Sequence, residues 1–427
     1  MKLTRRTTLK GLAATAAALA APAQLRAQTT EINVMLFGHP YTNGLKNIAG
    51  DFEAETGIRA NVDVVGQDVF ESRINLSFTG GSGEIDVVHT PAIQVQKWIA
   101  AGWLTPVTEY LPEMAGKDDI LAGPLDTYLI KGEYWGMPFG AGTGMLTYRK
   151  DLLKAAGKSV PDTWEQMLDV AAAVHSDDVA AIALRAAPGQ GFNMFIFPMI
   201  MRAYGGKFFA DYPNQDLTPA INSPETLEAL KIYIRLLNEY GPEGAGTFNF
   251  PEIIAGMQNG RVAMTVEGTG VVSQLIDPEK SKFAGNMGIA VPPGGPAGRS
   301  PAIAVHGLGI PSSSRNADTA AQFISWATST ATVRKITLNE PFVDFVNGSL
   351  ADDADVAGKY GSFQPDLLKV RVDALNQAIG HYRPLLPNWV EIGSAVGENI
   401  NAALNGLMPP EEALEIAQDE MNTIMGL

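Results

Sequence analysis

The sequence predicts an α/β protein of more than one domain, with mostly parallel, doubly wound sheet. Three observations carry that expectation. Apolar, β-prone runs alternate with helix-like runs in the first part of the chain, and a second α/β alternation follows further on. The roughly 400 residues beyond the N-terminal segment are also too many for one hydrophobic core.

The elements can be justified in order. Residues 32–37 are apolar and β-prone, 45–56 read as a helix closed by Gly57, and Arg59–Val65 alternates as a second strand. Residues 70–78 are helical, Gly80-Gly81-Ser82-Gly83 breaks that helix, and 85–88 form a third strand. Ligands of such sheets bind beyond the carboxyl ends of the strands. The loops after Phe37, Val65 and Val88 hold His39, Tyr41, Gln67, His89 and Thr90.

In the second region, Thr163-Trp164-Glu165-Gln166 is a capping box opening a helix to about His175. Ser223-Pro224 starts another helix, with Leu227, Leu230, Ile234 and Leu237 on one face and Gly241 at its end. Residues 180–184 and 262–266 are strand-like, Asn316 caps a helix over 317–329, and Pro410–Met425 is a final amphipathic helix. Trp98, Trp164 and Trp326 fall on helices as core residues. The run from Pro292 to Gly298 is punctuated too densely to be anything but loop.

The N-terminus is a targeting segment. Arg5 and Arg6 precede an uncharged run from Gly11 to about Ala21, followed by small residues. That run is shorter than the roughly 20 residues needed to span a bilayer. Thr4 to Lys10 resembles a twin-arginine export signal, although Thr8 stands where that pattern prefers Phe, so Sec export stays open. Cleavage after Ala23 or Ala27 fits, and residues 1–27 are assigned to the signal. With it go five basic residues and no acid, which takes the formal charge from −15 to −20. So acidic a chain repels nucleic acid and anionic membrane surfaces. The absence of cysteine excludes disulfides and thiolate chemistry.

Catalytic signatures are sparse. No Gly-x-Ser-x-Gly elbow occurs, and among 46 acids only Glu267, after a strand in TVEGTG, is distinguished by its surroundings. The glycines of Gly140-Ala141-Gly142-Thr143-Gly144 lack the Lys-Ser/Thr of a phosphate loop and suit a hinge or crossing segment that needs free backbone dihedrals. His39, His89 and His306 each stand at a strand end or a glycine turn, and His381 precedes Tyr-Arg-Pro. Four converging imidazoles would make a zinc site, but their spacings carry no ligand signature, and no metal or cofactor is assigned. What remains is aromatic and amide-rich: Tyr41, Trp135, Phe192, Tyr204 and Trp389 with Gln67, Gln190 and Asn193. Sugar rings offer apolar faces to aromatics and hydroxyls to amides, imidazoles and carboxylates, so the set suits a polyhydroxylated ligand.

Several stretches carry a resemblance to a known family. INVMLFGHPYTNGL, GEIDVV, YWGMPFGAGTGMLTYRKDLLKAAGKSVPDTWEQML, MQNGRVAMTVEGTG, HGLGIPSSSRNADTAAQFISWATS and the C-terminal PNWVEIGSAVGENINAALNGLMPPEEALEIAQDEMNTI together resemble the family 1 extracellular solute-binding proteins of ABC importers, the group of maltose-binding protein. The resemblance implies a two-lobed periplasmic-binding-protein fold, each lobe a doubly wound, mostly parallel sheet with discontinuous chain. It implies an N-lobe of 31–139 plus 303–345 and a C-lobe of 140–302 plus 346–427, with hinges near 139–142, near 301–305 and after Glu340. The implied function is capture of a sugar or polyol between the lobes and its presentation to the permease subunits, by a periplasmic, monomeric, non-enzymatic protein.

The resemblance also places residues singly. His39 stands where maltose-binding protein has a ligand-contacting Asp, Thr90 where it has a Trp, and Gly270 where it has a stacking Trp, while Trp389 keeps one. These departures argue against a maltodextrin. The expected ligand-binding set is His39, Tyr41, Gln67, His89, Thr90, Gly142, Thr143, Arg185, Gln190, Asn193, Tyr204, Glu267, Thr269, His306, Arg383 and Trp389. Arg185 and Arg383 leave room for an anionic sugar as an alternative. A secreted carbohydrate-processing enzyme is the alternative of another class. For His39 and Tyr41 a structural reading stands beside the ligand one, with the imidazole capping a helix start and the phenol packing on it.

Overall fold

The computed structural model describes residues 31–189, 191–213, 216–362 and 364–427. The expected export signal lies outside the described residues. Among them, no helix is long and apolar enough to cross a membrane.

Alternating apolar runs give the strands β1 (Glu31–Phe37), β2 (Arg59–Val65), β3 (Val87–Pro91) and β4 (Leu104–Thr105). A separate ribbon pairs β5 (Leu129–Ile130) with β6 (Glu133–Tyr134). The chain continues through β7 (Met137–Arg149), β8 (Ala180–Ile182), β9 (Val262–Gly268), β10 (Met287–Ala290) and β11 (Ile303–Pro311). The main sheet runs β2-β1-β3-β11-β7-β9-β8, with β4 on β11 and β10 on β7. Its two ends are parallel, β2-β1-β3 and β9-β8. Between them β7 and β11 pair antiparallel with each other and with their neighbours.

Two lobes share these crossing strands. The first half of β7 lies on β11, from Met137↔Leu308 to Thr143↔Ile303, and its second half lies on β9 and β10. A third crossing runs beside β7, where the Ala141 N–H donates to the Asp344 carbonyl at 2.7 Å and Gly140 bridges Phe345. All three expected hinge segments thus lie side by side. The glycines of β7 serve a purpose other than the one expected of them. None of Gly140, Gly142 and Gly144 has a positive φ. Gly144 and Gly140 are needed for close approach: a Cβ on Gly144 would stand 2.8 Å from Met199 Sδ, and one on Gly140 3.3 Å from the Asp344 carbonyl oxygen.

The first helix, Pro40–Thr56, starts five residues earlier than its apolar periodicity suggests. Pro40 at its first position and His39 as its cap set that start, while Gly57, at φ 73°, ends it as expected. The next helix is Gln67–Gly80. Thr163 caps Trp164–Val174, with its hydroxyl accepting from the Gln166 N–H at 3.2 Å. Ser223 caps Pro224–Tyr240, and Pro410–Met425 closes the chain. The core is continuous through both lobes, and Trp164, Trp389, Tyr41 and Tyr233 are among its largest fully buried side chains.

Candidate functional site

A cleft of about 980 Å³ opens where the crossing strands separate the lobes, and all three crossing segments contribute to its floor. Gly142, residues 303–306 and residues 342–344 form that floor. From the β1–β3 side come Phe37, His39, Phe70, Gln94 and Lys97, and from the β9 side Arg185, Phe195, Phe250, Thr269, Tyr382 and Arg383. Five phenylalanines, counting Phe342, and one tyrosine give the cleft its apolar faces.

His39 occupies two roles at once. As cap it has an extended backbone, and its Nδ1 accepts from the Tyr41 N–H at 3.3 Å, while Thr42 Oγ1 accepts from the His39 N–H at 2.9 Å. Its ring also lines the cleft, with its centroid 5.3 Å from that of His306. Burial holds His39 down at about 4; burial and the neighbouring His39 hold His306 at about 3, with Asp344 opposing the shift. Behind them His89 is fully buried, stacked on Phe37 at 3.9 Å, with Nε2 3.0 Å from His306 Nδ1. Burial pushes His89 well below its ordinary value too. At neutral pH these imidazoles are uncharged, and each ring carries one donor and one acceptor nitrogen, of which the His39 acceptor is already taken by the Tyr41 N–H.

Two carboxylates stand at the site in different settings. Asp344, mostly buried, accepts from the Thr269 hydroxyl, and Arg371 Nε lies 3.8 Å away. Arg371 is itself buried and donates to the carbonyls of Ala141 and Phe345, at 3.2 and 2.5 Å, so it ties two crossing segments together. Glu267 is fully buried and takes Arg185 in a fork, at 2.9 Å from Nε and 2.6 Å from Nη2. Arg185 Nη1 donates to the Gly191 carbonyl at 2.8 Å, and the guanidinium lies 4.4 Å over the Phe195 ring. Its charge is therefore already compensated. Among the described residues no cluster of three His, Cys, Asp or Glu side chains is placed to hold a metal ion.

This geometry, two lobes sharing crossing strands over a polar and aromatic cleft, agrees with the sequence comparison. Residues 39–333 match the bacterial extracellular solute-binding proteins. The chain belongs to that family. It is 30% identical over 370 residues to the mannitol-binding protein of Pseudomonas aeruginosa, covering 83% of this chain and 84% of that protein. The erythritol/L-threitol-binding protein of Mycolicibacterium smegmatis is 24% identical over 348 residues, 77% of this chain and 72% of its own. A solute-binding protein from Agrobacterium radiobacter, solved with ribitol, superposes with a TM-score of 0.79 at 25% identity, covering 92% of this chain and 98% of that one.

Of the residues expected at the site, His39, Gly142, Arg185, Thr269, His306 and Arg383 line the cleft of this solute-binding protein. The others stand elsewhere, for physical reasons. Tyr41 is turned into the core, stacked on Phe139 at 4.1 Å, with its hydroxyl donating to the Ala327 carbonyl at 2.7 Å. His89 and Glu267 are buried behind His306 and Arg185. Thr90 is buried, with its carbonyl accepting from the Tyr128 hydroxyl. Thr143 donates from Oγ1 to the Ala302 carbonyl at 2.9 Å and so joins two crossing strands. Asn193 bonds the Gly397 carbonyl at 2.7 Å, and Tyr204 bonds Glu165. Trp389 is fully buried edge-on against Phe208 at 4.9 Å. Gln67 opens the helix Gln67–Gly80, and Gln190 lies outside the described residues.

Asp344 is a cleft carboxylate absent from the expected set, as are the lining rings of Phe37, Phe70, Phe195, Phe250 and Tyr382. Its signal was present: a lone carboxylate within Phe342-Val343-Asp344-Phe345-Val346 must find a partner or a ligand when that run is buried.

Proposed function

We propose that this chain captures a neutral sugar or polyol, with a linear alditol as the favoured ligand class, and presents it to the permease of an ABC importer. The observation that carries this reading is the composition of the cleft. Uncharged imidazoles and a carboxylate face rings of phenylalanine across a space large enough for a small polyhydroxylated molecule. The relatives' ligands support the alditol class, since mannitol, erythritol, L-threitol and ribitol are all open-chain polyols. The anionic alternative is weakened by Glu267, which already neutralises Arg185.

The lobe boundaries we assign are 31–139 plus 303–345 and 140–302 plus 346–427. Contacts between segments distant in sequence support the division: Tyr41 bonds Ala327 and Lys335 pairs with Asp51 on one side, while Asn193 bonds Gly397 and Asn401 bonds Ala186 on the other. Ser349 bonds Asp119 and Arg334 pairs with Asp353, so the stretch just after 345 packs on the first side. In this reading the protein is exported to the periplasm, loses its signal near Ala23 or Ala27, works as a monomer, and closes by bending at the three crossings.

The test is a thermal-shift and calorimetric screen of refolded, ligand-stripped protein against alditols, neutral sugars and sugar phosphates. A ligand present at ~100 times its dissociation constant adds about 2.7 kcal/mol. Stoichiometric binding of an alditol or neutral sugar, recovered unchanged, is the expected result. Binding confined to sugar phosphates would overturn the neutral-ligand reading, and a converted product would make the protein an enzyme.

A further inference from the structure

The three imidazoles of the β1–β3 side are ordered by hydrogen bonds that fix where their protons sit. His39 is the simplest case. Its Nδ1 faces the Tyr41 backbone N–H, which can only donate, so the proton of a neutral His39 ring must be on Nε2. The contact at 3.0 Å between His89 Nε2 and His306 Nδ1 admits two arrangements. If His306 donated, the remaining His89 proton would sit on Nδ1, a buried nitrogen with no partner among the described residues. A buried N–H without an acceptor is rarer and costlier than a bare lone pair. The favoured arrangement has His89 donating from Nε2, so that His306 carries its own proton on Nε2.

We infer that His89 is a positioning residue, which holds the His306 ring with Nε2–H toward the cleft. His39 and His306 then form a pair of N–H donors aimed at adjacent ligand oxygens. Asp344, on the crossing segment that also lines the cleft, supplies the opposite polarity. The matching chemical class is a vicinal diol, whose oxygens accept from the two imidazoles while one of its hydroxyl protons goes to the carboxylate. The diol part of the inference rests on the sugar or polyol reading above; the tautomers and the role of His89 do not.

The first experiment is a long-range ¹H–¹⁵N imidazole spectrum of the ligand-free protein. It has only five histidines, each assignable by its own substitution. Nε2–H forms are expected for His39, His89 and His306, with the His306 Nδ1 resonance shifted by an accepted hydrogen bond. An Nδ1–H form of His306 would overturn the inference.

The second experiment measures D-mannitol and ribitol affinity in two variants. His89→Phe keeps the stacking on Phe37 but has no donor, and it should weaken binding roughly three- to tenfold. His89→Gln can donate from its amide and should restore most of the affinity. Unchanged affinity in a folded His89→Phe protein would make His89 merely structural and overturn the positioning role. Should the unaltered protein bind neither alditol, the alditol reading fails by itself. The ligand-free imidazole spectrum then still decides this inference.

Discussion

Replacing Glu267 by Ala isolates the most consequential buried interaction of the cleft. The Glu267 side chain is inaccessible and Arg185 is 13% exposed, so the substitution leaves a mostly buried guanidinium with the Gly191 carbonyl and the Phe195 and Phe250 rings beside it but no opposite charge. It also removes the acceptor for the Gly268 N–H, at 3.2 Å. Breaking a buried pair from one side costs about 3–5 kcal/mol. Removing both charges by Arg185→Met with Glu267→Leu should cost much less than the two single changes together, because no uncompensated charge remains.

The assay is urea unfolding followed by tryptophan fluorescence and circular dichroism, accepted for energies where the two probes coincide. A loss under about 1 kcal/mol for Glu267→Ala, the scale of an exposed pair, would refute the argument. So would additivity of the two single substitutions. Glu267→Gln offers a functional counterpart: with Arg185 no longer neutralised, the cleft should gain affinity for a sugar phosphate over the unaltered protein.

Acid should destabilise the fold through its imidazoles. The folded-state values of His39, at about 4, and His306, at about 3, lie below the unfolded value near 6.5, so the unfolded chain binds more protons in between. Stability is therefore complete above about pH 6.5 and falls as the pH drops toward 4, by up to about 1.4 kcal/mol per pH unit per imidazole. Urea midpoints at several pH values check this, and a His306→Gln slope as steep as the original would contradict it. Trp389→Phe removes part of a buried indole packed on Phe208, and should cost roughly 1–3 kcal/mol of stability without changing alditol affinity. A large affinity loss in a folded Trp389→Phe protein would return Trp389 to the ligand wall.

Local patterns revealed the fold more fully than the site. Gly57, Thr163, Ser223 and Pro410 mark helix ends because caps and turns are decided within a few residues. The start at Pro40 was hidden because His is not a favoured cap, and the third strand runs on to Pro91 where Pro normally reads as a break. For the site, nearness to a strand end places a residue close to the cleft but does not say which way its side chain points. His39 faces the cleft while Tyr41, two positions on, faces the core. The aromatic inventory favoured Tyr and Trp, yet the walls are mainly phenylalanine, and the polar tips of Tyr41 and Tyr233 find backbone carbonyls inside the lobes. Asp344 meets Thr269 and Arg371 only through the third crossing, which no local pattern reports.

The way the cleft is divided bears on how binding could become a signal. A ligand shifts an open–closed equilibrium only by its differential affinity for the two states. Contacts to a single lobe are equal in both and shift nothing, however tight they are. In the division assigned above, the donors His39 and His306 fall on the β1–β3 side and its crossing strand, while Phe195, Phe250 and Tyr382 fall on the β9 side. A hydroxyl held by the imidazoles therefore gives affinity to either state, whereas a carbon chain reaching the opposite rings gives energy only when the lobes approach. Asp344 sits between these groups, on a segment that Arg371 anchors to β7. The reach of the polyol's carbon chain toward those rings should then decide whether a bound ligand also closes the protein. Short alditols would bind through the donors alone, and longer ones would bind and close it.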